Sequence, residues 1–161
     1  MASIVPIKAD HLPAVHALNQ RFAVEMSALT PERLAELVSI AAYARCAPPA
    51  DGFLIAFDET SPYDGGHFQM FKSRYDRFVY VDRIAVAAHA QGQGIAAALY
   101  ADLFAWARTQ GQTRITCEVN IQPPNPASEA FHTRLGFREI GQATIEDGAK
   151  TVNYLVRELN A

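Results

Sequence analysis

Apolar residues recur along the chain at two periods, and the switches between them mark out its elements. Ser3 to Lys8 reads as a short strand. Leu12, Val15, Leu18, Phe22 and Met26 then stand at helical spacing, with Asp10 as a cap and Pro13 tolerated in the first turn. Thr30-Pro31-Glu32 starts a second helix, to about Val38: hydroxyl as cap, proline at the first helical position, acid where the dipole favours it. Strands follow over Ala41–Cys46 and Phe53–Phe57, joined by a turn at Pro48, Pro49, Asp51 and Gly52. Glu59 to Asp76 lacks a regular pattern and reads as a long aromatic-rich loop carrying Tyr63, Asp64, His67 and Phe68.

The second half is more periodic. Phe78–Val86 is rich in β-branched and aromatic residues, as a central strand is. Ile95, Leu99, Leu103 and Trp106 form one stripe of a helix over Gly92–Thr109, with Gly111 just past its end. Arg114–Val119 is a strand, after which Asn125 caps a helix with Pro126 at its first position and Gly136 as its stop. Two last strands, Phe137–Gly141 and Thr151–Arg157, join through a turn near Asp147 and Gly148. The order β-α-α-β-β-β-α-β-α-β-β predicts a mixed α/β (α+β) fold, a sheet with helices on both faces.

Composition narrows the class. At 161 residues, half apolar, the chain suits one domain spanning residues 1–161. A net charge of −3 with scattered basic residues argues against nucleic acid or an anionic membrane as partner. No apolar run approaches the ~18 residues of a membrane span and the N-terminus lacks a signal-peptide core, which makes the cytoplasm the expected location. Cys46 and Cys117 are isolated and read as packed, reduced thiols, and no metal-ligand spacing is present.

The chemistry-bearing segment is the glycine-containing turn between Ile84-Ala85-Val86 and the helix beginning Ile95-Ala96-Ala97. Backbone N–H groups at such a helix start have no internal partner and attract an anion, and Gly92 and Gly94 keep a Cβ out of its way. A phosphate-bearing cofactor is the expected ligand. Gly92-x-Gly94-x-x-Ala97 formally satisfies a dinucleotide fingerprint, with Glu118 near the place of a ribose-binding acid. Five residues between Val86 and Gly92, and a single βαβ unit, speak against it. A nucleotide-hydrolysing P-loop is excluded because no Gly-Lys-Ser/Thr follows. An ordinary turn into a helix is the remaining reading of this segment taken alone.

Gln91-x-x-Gly94-x-Ala96 resembles the acyl-CoA pyrophosphate loop of the GNAT superfamily of N-acetyltransferases, and a second motif agrees. Asn125, Ser128, Phe131, His132, Gly136 and Phe137 follow the family's Asn-x-x-Ala/Ser-x-x-Phe-Tyr-x-x-x-Gly-Phe pattern, with His132 in place of the tyrosine. The element order matches over essentially the whole chain. The resemblance implies a mostly antiparallel sheet of about seven strands, splayed in the middle, and acetyl-CoA as cofactor. Gln91, Gly92, Gln93, Gly94, Ile95 and Ala96 would hold the pyrophosphate through backbone N–H groups. Ile84, Ala85 and Val86 would pair with the pantetheine arm as an added strand. Asn125 would contact the arm besides capping its helix, Ser128 and Phe131 belong to the same cofactor-side motif, and Arg134 either meets the 3′-phosphate or is simply solvated.

The reaction the family implies is direct acyl transfer to an amine. An alkylamine with a pKa of about 10 is neutral to roughly one part in a thousand at pH 7, so the enzyme must create the nucleophile. A backbone N–H near the end of the Val86 strand would meet the developing oxyanion. His132 either protonates the leaving thiolate or only fills space beside Ser128. Tyr80 and Asp82 share a side of their strand, which makes Asp82, with Glu118 on the next strand, a candidate base. Asn19, Arg21 and Glu25 together with Tyr63, Asp64, His67 and Phe68 occupy the family's acceptor region. Their polarity implies a small polar or amino-acid-like amine as acceptor. A catalytically weak acyl-CoA binding or sensing domain is the alternative, and a homodimer is frequent in the family.

Overall fold

The computed structural model describes residues 3–49, 51–145 and 148–159. Seven strands form one sheet: β1 (Val5–Pro6), β2 (Tyr43–Ala47), β3 (Gly52–Asp58), β4 (Val79–Val86), β5 (Arg114–Gln122), β6 (Arg138–Ile145) and β7 (Lys150–Glu158). Their spatial order is β1-β2-β3-β4-β5-β7-β6. Every neighbouring pair is antiparallel except β4 and β5, which run parallel and pair only at Val79–Ile115 and Tyr80–Thr116. Beyond Tyr80 the two strands part, and among the described residues β4 from Val81 to Val86 has no strand partner on that side.

Helices cover both faces of this split sheet. They are α1 (Leu12–Arg21), α2 (Ala23–Met26), α3 (Pro31–Ile40), α4 (Gly66–Arg74), α5 (Ile95–Thr109) and α6 (Pro126–Arg134). Residues 52–57 of β3 are all buried, as a strand packed on both sides requires. On one face α5 lies along β2 and β3: Tyr43 and Arg45 bond Asp102, and Tyr43 packs on Trp106. On the other face Phe68 and Phe71 of α4 pack against Phe57, Phe78 and Tyr80.

The expected elements differ from the observed ones in three places. The segment 59–76 is not an irregular loop, since Gly66–Arg74 forms α4. Phe68 and Phe71 stood at helical spacing there, hidden by the Pro and Gly residues before them. The first helix breaks at Phe22, and it is preceded by a 3-10 turn, Ala9–His11, so Asp10 does not cap it. The first strand shrinks to two residues, whereas β5 and β6 extend to Gln122 and Ile145. Of the last expected turn, Asp147 lies outside the described residues. Among the described residues no helix is long and apolar enough to cross a membrane.

Candidate active site

The parting of β4 and β5 opens a cavity of about 270 Å³ through the middle of the sheet. Alternation along β5 turns Glu118 and Asn120 toward the α4 face, and Cys117 and Val119 toward α5 and α6. Tyr80, Asp82, Glu118, Tyr63 and Glu25 line it, as do Tyr100, Ser128, His132, Asn125 and Ile84. Polar groups expected from five separate segments therefore meet in one place, from opposite faces of the sheet.

Glu118 is the most perturbed carboxyl group there. One oxygen accepts a hydrogen bond from Tyr80 Oη at 2.8 Å, while the other is buried with no partner among the described residues. Burial, reinforced by the charge of Asp82, raises its pKa to about 8. Asp82 is otherwise engaged. It accepts from Tyr63 Oη at 2.9 Å and from Arg83 Nε at 2.7 Å. An ion pair between sequence neighbours in a strand needs a break in alternation, and β4 supplies one: Ile55 faces Arg83 and Ala56 faces Val81, leaving Asp82 as the extra residue of a bulge.

Arg83 ties this wall to the helices. It donates to Asn19 Oδ1 at 2.8 Å and to the Ser27 carbonyl, which also accepts from Asn19 Nδ2. Ser27 itself sits at φ 85, a conformation costly to a side-chain-bearing residue. Asn19, expected to touch the acceptor, is fully buried behind Arg83 and does not line the cavity. It holds the segment that does, through Glu25, Met26 and Ser27. Arg21 and Asp64 are also absent from the lining, as is Phe68, whose buried ring joins the α4 core.

On the opposite face, His132 is buried with both ring nitrogens committed. Nδ1–H donates to the Ser128 carbonyl at 2.8 Å, which leaves Nε2 to accept from Tyr100 Oη at 2.7 Å. Burial lowers the pKa of the ring, so neutral imidazole is the favoured form. In this arrangement the ring carries no free N–H toward the cavity. Tyr100 escaped the sequence reading because it lies within the Ala-rich run of α5; its hydroxyl, lone among apolar neighbours, was the available signal.

A second cleft, about 330 Å³, lies at the start of α5 and is lined by Val86, Gln91, Gly92, Gly94, Ile95, Ala96, Phe131 and Arg134. Gly92 and Gly94 adopt φ of 81 and 78, which glycine takes without strain. Among the described residues, the backbone N–H groups of residues 92–97 have no acceptor; the first helical bond is from Ala98 to Gly94. Gln91 and Gln93 bend their side chains back to the Val86 and His89 carbonyls, leaving the amides of the turn open. The Arg134 guanidinium is exposed at the rim, and no lysine or arginine occurs from Ala85 to Ala107. Such a cradle fits a pyrophosphate held by backbone and helix dipole. Asn125 caps α6, accepting from Ser128 N–H at 3.4 Å, and also lines the central cavity. The Ala85 side chain is buried and lines neither space.

The split sheet thus carries a turn of open backbone amides at the start of α5 and a carboxyl-lined cavity between β4 and β5. The profile of the Acetyltransferase (GNAT) family matches residues 18–137, and the chain belongs to that family: it is an acyl-CoA-dependent acetyltransferase. No curated protein matches it in sequence. Among solved structures, the ribosomal-protein-S18-alanine N-acetyltransferase from Escherichia coli superposes with a TM-score of 0.70 at 19% identity, over 100% of this chain and 96% of that one. Ard1 from Thermoplasma volcanium superposes with a TM-score of 0.77 at 16% identity, over 99% of each chain. An N-acetyltransferase from Staphylococcus aureus Mu50 gives 0.71 at 19% identity, again over 99% of each.

Proposed function

We propose that this acetyltransferase acetylates the amine of a small polar acceptor, with Glu118 as the general base. The observation that carries this reading is the Glu118 carboxyl on the cavity wall, one oxygen oriented by Tyr80 and the other buried without a partner among the described residues. A base is most useful when its pKa lies near the working pH, and one of about 8 meets that condition. Asp82, already holding Tyr63 and Arg83, supplies negative charge that attracts an ammonium and raises Glu118, but is less free to take a proton.

When bound, acetyl-CoA supplies an acetyl group on a thioester activated toward amines. Gly92, Gly94, Ile95 and Ala96 would hold its pyrophosphate through their N–H groups, Arg134 would stand beside its outer phosphate, and the free edge of β4 at Ile84–Val86 would take its arm. The Val86 N–H, on the stretch of β4 that does not pair with β5, would meet the carbonyl oxygen of a thioester held along that edge. Glu118 would accept the proton that the amine sheds. Thiols, with a reference pKa near ~8.5, depart as thiolates without full protonation, so the committed nitrogens of His132 are no obstacle. His132 then fixes Tyr100 and the start of α6.

The test is thiol release from acetyl-CoA across alkylamines, amino acids and a peptide with N-terminal alanine, using the wild type and Glu118→Gln. Small acceptors turning over faster than the peptide, with the variant losing most of that rate, supports the reading. Preference for the peptide overturns it in favour of a polypeptide acceptor, the class that the name of the ribosomal-protein-S18-alanine N-acetyltransferase carries.

A further inference from the structure

The charges of the central cavity are unevenly assigned, and one is unexplained by a simple amine. Glu25, Asp82 and Glu118 suit a cationic acceptor. Of the cations on the wall, Arg83 is consumed by Asp82, Asn19 and Ser27. Lys150, the first residue of β7, also lines the cavity, and among the described residues it has neither an ion pair nor a hydrogen bond. An ammonium-bearing substrate with no other charge would be repelled by it.

The strand geometry says where this lysine stands. Glu118 faces Tyr154 across the β5–β7 ladder and Asn120 faces Val152, so alternation puts Lys150, Val152 and Tyr154 on the same side as Glu118. At ~3.3 Å per residue, Lys150 begins about 13 Å along β7 from Tyr154, and its side chain and that of Glu118 close much of that gap. The charge of Lys150 is felt at both Glu118 and His67, whose Nδ1 is 2.9 Å from Tyr154 Oη. Among the described residues, the far end of the cavity is thus positive, and the end near Glu118 and Asp82 is negative.

We infer that the acceptor is an amino acid with a free carboxylate, its amine at Glu118 and its carboxylate bound by Lys150. This rests on the small-amine reading above and deepens it. The lysine would contribute to binding more than to turnover, because the carboxylate is remote from the bonds that form and break. A polyamine would meet repulsion at Lys150, and an amidated acceptor would forgo the ion pair.

The experiment compares a set of amino acids, their carboxamides and the corresponding alkylamines as acceptors for the wild type, Lys150→Gln and Lys150→Arg, measuring kcat and KM separately. The expected result is that amino acids have KM values at least tenfold below those of their carboxamides. Lys150→Gln should erase that preference by raising only the amino-acid KM, with kcat within about threefold, and Lys150→Arg should restore most of it. Carboxamides or alkylamines used as well as amino acids, with Lys150→Gln indifferent, would overturn the assignment of Lys150 and leave the small-amine reading standing. Failure of every small amine with a peptide turning over would overturn both. Thermal unfolding of each variant checks that a raised KM is not a folding defect.

Discussion

At the scale of single residues, the cavity contrasts a carboxyl group with a free oxygen and an imidazole with no free nitrogen. Glu118→Gln should lower kcat/KM by about 10²–10⁴, the usual contribution of a positioned base. In the wild type kcat/KM should climb with pH and level off above about 8 as Glu118 ionises, and the variant should lose that limb. Stability should show the opposite trend. A carboxyl with a pKa of about 8 in the fold and 4.5 as reference holds more protons folded than unfolded between those values, so stability falls as pH rises through that window. Thermal unfolding at pH 9 should therefore find Glu118→Gln more stable than the wild type. His132→Phe is expected to retain kcat within about threefold while losing roughly 1–3 kcal/mol of stability, because the Tyr100 hydroxyl and the Ser128 carbonyl lose their partner. A hundredfold loss of kcat at unchanged melting temperature would instead make the ring a proton donor.

At the scale of elements, the turn into α5 is a backbone device, and its residues matter for conformation more than for side-chain chemistry. A Cβ at Gly94 meets no atom within 4 Å, so Gly94→Ala tests φ alone. An L-residue in the left-handed region costs roughly 1–2 kcal/mol, and the chain relieves this by turning its amides. Affinity for acetyl-CoA should drop about tenfold, whereas acetyl-pantetheine, which lacks the pyrophosphate, should be used as before. This element was legible in the sequence because glycines and an uncapped helix start are local features. Helix α4 was not legible, since Pro62, Gly65 and Gly66 obscured a three-residue aromatic spacing, Phe68 to Phe71, that only packing against Phe78 and Tyr80 makes decisive. The break at Phe22 was also hidden. It follows from His16, Asn19 and Gln20 of α1 reaching over to the backbone of Ser27 and Leu29, a set of contacts no periodicity records.

At the scale of the molecule, the split sheet links two spaces of opposite character, a turn of open backbone amides and a carboxyl-lined cavity. Saturation with acetyl-CoA at 100 times its Kd should stabilise the fold by about 2.7 kcal/mol, a rise in melting temperature of roughly 5–10 °C for a chain of this size. Because residues 85–107 contain no lysine or arginine and Arg134 is the one cation lining the cleft among the described residues, that rise should fall less between low and physiological salt than at a site built from several exposed side-chain charges. By itself the amino-acid sequence determined the order of most strands and helices, the glycine turn before α5 and the family, since each depends on period, caps and glycines within a few residues. It also named most of the polar groups of the cavity. Only the tertiary structure decided which of them are free to act. Tyr100 occupies His132 from 32 residues away, and Arg83 draws in Asn19 from 64 residues away, beside the Asp82 that it neutralises. Burial and charge from other strands lift Glu118. A side chain's proton affinity and availability are set by whatever packs around it, and that neighbourhood comes from remote parts of the chain.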